Sequence, residues 1–245
     1  MKNGFNKTII IFIDILGSQD RKDFDDWYRI MQLFNESVKE EKELDSSHPW
    51  TVYKREIHMF SDCAYIIYDF KEGVDEYKKD INALMCIACY NTEKLIYTFL
   101  KNGFIVRGAI TYGEIFYDNE SAVWFGPGMN RAYFLEAKMA KFPRIIIDPD
   151  YAQGLIAYNE KVYLNDAMKR EINGEIIKKD TDELYYLNYL NSIYYYPDAD
   201  ETAKKIFDLC QIERNKKRSD EHLTLSIKEK YDWLEKYLNN YYEMQ

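Results

Sequence analysis

Two aspartates at strand ends carry the chemistry in this chain. Asp14 closes the run T-I-I-I-F-I-D (Thr8 to Asp14), and Asp62 stands between two strand-like segments, Val52 to Phe60 and Cys63 to Tyr68. An apolar run bounded by a turn reads as a strand covered on both faces. An ionised carboxylate at the edge of such a strand is costly to desolvate unless a partner or a metal compensates. Two of them in one sheet offer the hard oxygen ligands of a two-metal phosphoryl-transfer site, with Mg²⁺ or Mn²⁺ as cation. The plainer reading makes Asp14 a helix cap and Asp62 a turn residue.

The elements that must position these residues follow from periodicity. After the first strand, Phe24, Trp27, Met31, Phe34 and Val38 recur at helical spacing. The charged stretch Lys39 to Asp45, with Ser46-Ser47-His48-Pro49, reads as a loop. Val52 to Phe60 and Cys63 to Phe70 then form a hairpin bent near Ser61-Asp62. Tyr77, Ile81, Leu84, Ala88, Leu95 and Phe99 mark a long helix stopped by Asn102-Gly103. Phe104 to Phe116 reads as the next strand, and Gly126-Pro127-Gly128 opens a helix to about Ala140. Pro143 to Ile147 returns to strand, Glu175 to Lys179 and Glu183 to Leu190 pair across Asp180-Thr181-Asp182, and two helices close the chain. The fold class is α+β: a ferredoxin-like βαββαβ core with helices on one face, then a C-terminal hairpin and helices. Residues 1–190 form the catalytic domain, and 191–245 a helical extension packed on it.

Composition narrows the function. The chain has 245 residues and a formal net charge of -9, which disfavours a broad nucleic-acid surface. The longest apolar run, Ile9 to Ile13, is too short to span a bilayer, and no signal-peptide pattern precedes it. Cys86 and Cys89 lie in a helical pattern without a second ligand pair, so they read as buried small residues in a reducing cytoplasm. Tyr194-Tyr195-Tyr196 reads as packing surface.

Four segments occur in register: F-I-D-I-L-G (Phe12 to Gly17), F-S-D (Phe60 to Asp62), R-G-A-I-T-Y-G-E (Arg107 to Glu114) and F-G-P-G-M-N-R-A (Phe125 to Ala132). Together they resemble class III nucleotidyl cyclases. With the following P-R-I (Pro143 to Ile145), the wording is most similar to the bacterial pyrimidine cyclases of Pycsar antiphage defence. The resemblance spans roughly Lys7 to Asp148. It implies cyclisation of UTP or CTP to the 3′,5′-cyclic monophosphate, with a separate effector reading the product. It also implies two Mg²⁺ or Mn²⁺ ions per site on Asp14, Asp62 and the Ile15 carbonyl. Ile15, Leu16 and Gly17 would then border the nucleotide, the Leu16-Gly17-Ser18 turn giving backbone N–H groups to phosphates and Gly17 leaving room for them.

Asn130 matches the residue that orients the ribose in such enzymes. Four positions later stands Phe134, where many relatives carry a phosphate-stabilising Arg; Arg131 and Arg107 are the candidates to replace it, and Arg107 reads equally as a structural ion-pair residue. Arg131 points about 100° away from the Asn130 face. His58 takes the place of a base-reading Lys, and Val123-Trp124 that of a second base-reading carboxylate, which suits a smaller pyrimidine. Lys138, two turns beyond Asn130, reads either as a cation for the triphosphate or as a solvated side chain, and Lys54 and Arg55 either as cations that attract nucleotide or as strand-edge protection. The resemblance implies a head-to-tail homodimer in which one protomer supplies the Asp pair and the other Asn130. Two other readings remain open: a purine cyclase or other palm-type nucleotidyltransferase, and a non-catalytic nucleotide sensor on the same fold.

Overall fold

The computed structural model describes residues 4–18, 21–163, 175–191, 193–216, 218 and 220–242. Strand β1 (Asn6–Ile15) runs through the middle of a mixed sheet. It pairs antiparallel with β3 (Cys63–Phe70) on one side and β4 (Val106–Asp118) on the other. Strand β2 (Tyr53–Phe60) forms the edge beside β3. Beyond β4 come β6 (Ile145–Ile147), which is parallel to it, then β8 (Tyr185–Leu187) and β7 (Ile177–Lys179). The order β2-β3-β1-β4-β6-β8-β7 contains the expected ferredoxin-like core and the expected C-terminal hairpin. A short strand β5 (Val123–Phe125), not foreseen as a strand, pairs with the end of β4.

Ile9 through Ile13 are at most 4% exposed, as a strand covered on both faces must be. On one face Ile9, Ile11, Ile13 and Ile15 pack against helices α1 (Phe24–Ser47) and α2 (Ile81–Lys101). On the other, Ile10 and Phe12 meet Ala132 and Met129 of helix α3 (Pro127–Lys138). The expectation of helices on one face is therefore corrected: α3 crosses the opposite face. It can do so because Gly113 and Gly128 meet there without side chains. A Cβ on Gly113 would lie 2.7 Å from the Gly128 Cα.

Helix α1 also runs further than its sequence suggested, through Ser47. Its polar last turns are held by tertiary contacts, with Arg55 of β2 reaching Asp45 at 2.6 Å and Glu41 at 3.1 Å. Lys, Glu and Leu are good helix formers, so the stretch from Lys39 to Leu44 continues the helix by its own propensity, and these ion pairs hold its end. Helix α4 (Pro149–Tyr163) follows β6 and had no clear sequence signal. Helices α5 (Ala199–Asn215) and α6 (Glu221–Tyr242) close the described chain.

Both last helices join the main core, with Ile206, Cys210, Leu234 and Leu238 fully buried. Arg144, at 0% exposure, ties the β7–β8 turn to this region through Asp180 and Asp182. Trp233 of α6 donates its indole N–H to the same Asp180 at 2.8 Å. The Tyr196 ring stacks on Tyr97 at 3.9 Å, in keeping with a packing role for that tyrosine cluster.

Candidate functional site

Pairing register brings the two aspartates to one rim of the sheet. Asp14 lies opposite Cys63 on β3 and opposite Arg107 on β4. The β2–β3 hairpin closes between Phe60 and Cys63, so Asp62 sits in its tight turn, next to the partner of Asp14. Ser61 takes the left-handed conformation, φ 56°, that this reversal requires. The Asp62 carbonyl accepts the Ile15 N–H at 3.1 Å, which fixes the turn to the end of β1. The Asp62 carboxylate accepts the Ser18 hydroxyl from the turn that follows β1. Side chains alternate along a strand, so Asp14 shares the face of Ile10 and Phe12, the face that α3 partly covers.

The site holds more charge than the sequence disclosed. Arg107 Nε lies 3.5 Å from Asp14 and 2.5 Å from Glu136, a residue of α3 that is only 3% exposed. Burial lifts the Asp14 carboxyl to about 6. Arg107 opposes that rise and Asp62 adds to it. Glu136 is pushed up to about 7 by burial, again against Arg107 and with help from Asp14. Lys230 of α6 is half-buried within the field of the same groups, and burial followed by Arg107 lowers its pKa. Glu136 and Lys230 were both missed by sequence reasoning. Each left a faint signal: Glu136 falls four residues after Ala132 on the buried face of α3, and Lys230 three after Ile227 beside the packed stripe of α6.

The donor set fits a divalent metal of the Mg²⁺ or Mn²⁺ kind. Two carboxylates meet on a partly desolvated rim, where burial raises the Asp14 pKa and a bound cation would lower it. Among the described residues no three His, Cys, Asp or Glu side chains cluster to hold a metal unaided. The set is therefore Asp14 and Asp62 with further oxygens, for which the Ile15 carbonyl remains the candidate. The adjoining turn is less open than expected. The Leu16 N–H is spent on the Ile105 carbonyl at 2.8 Å, so Leu16 cannot give its amide to a phosphate. Gly17, at φ +76° with nothing near its missing Cβ, keeps that approach clear.

The remaining expected residues lie apart. Asn130 is exposed in the first turn of α3, and its side chain makes no hydrogen bond among the described residues. Arg131 is committed elsewhere: its guanidinium grips buried Asp148 at 2.9 and 2.6 Å, and the Thr111 hydroxyl completes that carboxylate at 2.6 Å. A guanidinium in that clamp anchors α3 to the strand end and is not aimed at the Asp pair. Phe134 is 48% exposed. His58 stacks on Trp124, centroids 5.3 Å apart and planes 21° apart, so the two residues expected to border the base do meet. Arg55 is buried in its ion pairs on the α1 side, and Lys54 lies over the Tyr117 ring at 5.4 Å. Lys138 is exposed, and the four cysteines are free, Cys86 and Cys89 buried in α2. A cavity of about 410 Å³ opens between α1, α2 and the start of α5, and neither Asp14 nor Asp62 lines it.

No protein-family model matches the chain, and no curated protein matches its sequence. Among solved structures it is similar to a dimeric guanylyl cyclase domain of a rhodopsin fusion protein from the aquatic fungus Blastocladiella emersonii. The identity is 15%, 75% of this chain and 94% of that one are covered, and the TM-score is 0.44. It is also similar to the catalytic core of a rhodopsin-guanylyl cyclase with converted specificity, in complex with ATPαS. There the identity is 19%, the coverage 63% and 82%, and the TM-score 0.40. Likeness at that level does not identify a family. No helix among the described residues is long and apolar enough to cross a membrane.

Proposed function

We propose that this chain is a metal-dependent pyrimidine nucleotide cyclase, converting UTP or CTP to the 3′,5′-cyclic monophosphate and pyrophosphate. The observation that carries the reading is the convergence of Asp14 and Asp62 on one rim, beside Arg107, by strand register alone. In the reaction the O3′–Pα bond forms as the bond from Pα to the pyrophosphate oxygen breaks, the 3′-hydroxyl proton passing to water and the electron pair of the broken bond leaving with pyrophosphate. Two bound Mg²⁺ or Mn²⁺ ions would supply the positive charge that acidifies the 3′-hydroxyl and neutralises the triphosphate.

Asp14 and Asp62 would hold the cations, and the Ser18 hydroxyl, which donates to the Asp62 carboxylate, would keep that ligand oriented. Arg107 turns its guanidinium toward non-bridging phosphate oxygens. The glycine-opened turn at Gly17 admits the phosphate chain. The stacked His58–Trp124 pair bounds a narrow base site suited to a single ring. Asn130 from a second protomer orients the ribose. Its exposure, together with that of Phe60, Tyr133 and Phe134 at 71%, 56% and 48%, supports a head-to-tail homodimer that buries this surface. The product then acts as a cytoplasmic antiphage signal through a separate effector.

A second reading, a nucleotide-binding sensor without turnover, is favoured by two observations: Phe134 stands where a cation is expected, and Arg131 is tied to Asp148. A competition experiment tests base choice. In an equimolar mixture of the four ribonucleoside triphosphates with Mn²⁺, UTP or CTP is consumed first, and His58→Ala loosens that preference. Faster consumption of ATP or GTP would reject the pyrimidine assignment.

A further inference from the structure

We propose that Glu136 is a positioning residue that holds Arg107 back from Asp14 and so keeps that carboxylate open to a divalent cation. The inference rests on the metal-binding role given to Asp14 above. Arg107 stands between two carboxylates, and the contest is unequal: 2.5 Å from its Nε to Glu136 against 3.5 Å to Asp14. Its Nη2 is also 3.5 Å from the same Asp14 oxygen, Oδ2, so one edge of the guanidinium faces Asp14 at the long limit of a hydrogen bond and does not close on the carboxylate as a two-pronged pair. Glu136 is only 3% exposed and cannot turn to solvent for its partner.

The contact with Glu136 is one of charge more than of alignment. Glu136 Oε1 lies within ion-pair distance of Arg107 yet accepts no well-directed hydrogen bond. Such a tether sets where the guanidinium sits while leaving it able to reorient toward a phosphate. Without the Glu136 charge, nothing on the α3 side opposes collapse of Arg107 onto Asp14 as a two-pronged ion pair. The guanidinium would then occupy the lone pairs a metal needs. Lys230, in the field of both carboxylates and Arg107, adds positive charge without replacing the tether.

The test is Mn²⁺ binding without nucleotide, read from the free-Mn²⁺ electron paramagnetic resonance signal. Wild type is compared with Glu136→Gln, Arg107→Gln and the double variant. Glu136→Gln is expected to weaken Mn²⁺ binding about tenfold or more, the range typical of partners one layer behind a metal ligand. Arg107→Gln should bind at least as tightly as wild type, and the double variant should recover wild-type affinity because the competitor is gone. A merely structural Glu136 would give no such recovery. Unchanged binding in Glu136→Gln, an unrecovered double variant, or weaker binding in Arg107→Gln overturns the proposal. If Glu136→Gln does not fold, the Arg107→Gln result alone decides. Wild type that binds no Mn²⁺ would overturn the metal reading of Asp14 and Asp62, and the proposal with it.

Discussion

At the residue scale, the burial of Asp14 costs the folded protein stability. Its carboxyl rises from 3.8 to about 6 in the folded protein, equivalent to about 3 kcal/mol of penalty on the charged form. The sign follows from proton uptake. Between about pH 4 and pH 6 the folded state keeps a proton that the unfolded chain has released, so stability falls as pH rises through that window. Above it the full penalty is present. Asp14→Asn should therefore raise the melting temperature of the metal-free protein at pH 7.5, while abolishing both the stabilisation by Mn²⁺ and turnover. Thermal melts across pH 4 to 8 check this, and a variant that melts below wild type at pH 7.5 contradicts it. The two aspartates were legible in the sequence because an acid at the end of an apolar run is conspicuous. Glu136 and Lys230 were not, because a charge on the buried side of an amphipathic helix looks like any solvated charge until its neighbours are placed.

At the element scale, α3 is the piece whose position the site depends on most. It presents Asn130 at one end and Glu136 at the other, and it crosses β4 where Gly113 and Gly128 touch. Gly113→Ala would push its Cβ into the helix backbone, at a cost of about 1–3 kcal/mol for overpacking. Chemical denaturation should show that loss, with a larger fall in turnover because the helix shifts as a unit. An equally stable, fully active variant would mean that α3 tolerates displacement. Arg144 is the corresponding pin of the C-terminal hairpin. Removing it as Arg144→Met strands Asp180 and Asp182 and should cost about 3–5 kcal/mol. A denaturation midpoint unchanged from wild type would refute that assignment. The βαββαβ order was readable from alternation and helical spacing. The extra turns of α1 were not, because a charged stretch of good helix formers carries no apolar periodicity, and the face taken by α3 was not, because it is decided by the distant contact of Gly113 with Gly128.

At the scale of the whole molecule, a single protomer brings together the Asp pair, Arg107, Glu136 and Lys230 but leaves Asn130 exposed on its own surface. The proposed homodimer with a shared site would bridge that separation. Mixing Asp14→Ala with Asn130→Ala chains should then restore turnover from two inactive proteins, through one intact site in each heterodimer. Mixed dimers that form and stay inactive would refute the shared site. The sequence carried the order of the segments and the departure at Phe134, and it implied a head-to-tail homodimer only through the resemblance of its motifs. The most direct measurement of the central claim is mass spectrometry of the product after incubation with each ribonucleoside triphosphate in Mn²⁺ and in Mg²⁺, wild type beside Asp62→Asn. The account predicts 3′,5′-cyclic UMP or CMP with pyrophosphate from wild type, and a loss of about a hundredfold or more in the variant, as expected when a group that stabilises transition-state charge is removed. A folded dimer that binds Mn²⁺ and triphosphate yet forms no cyclic product would contradict it.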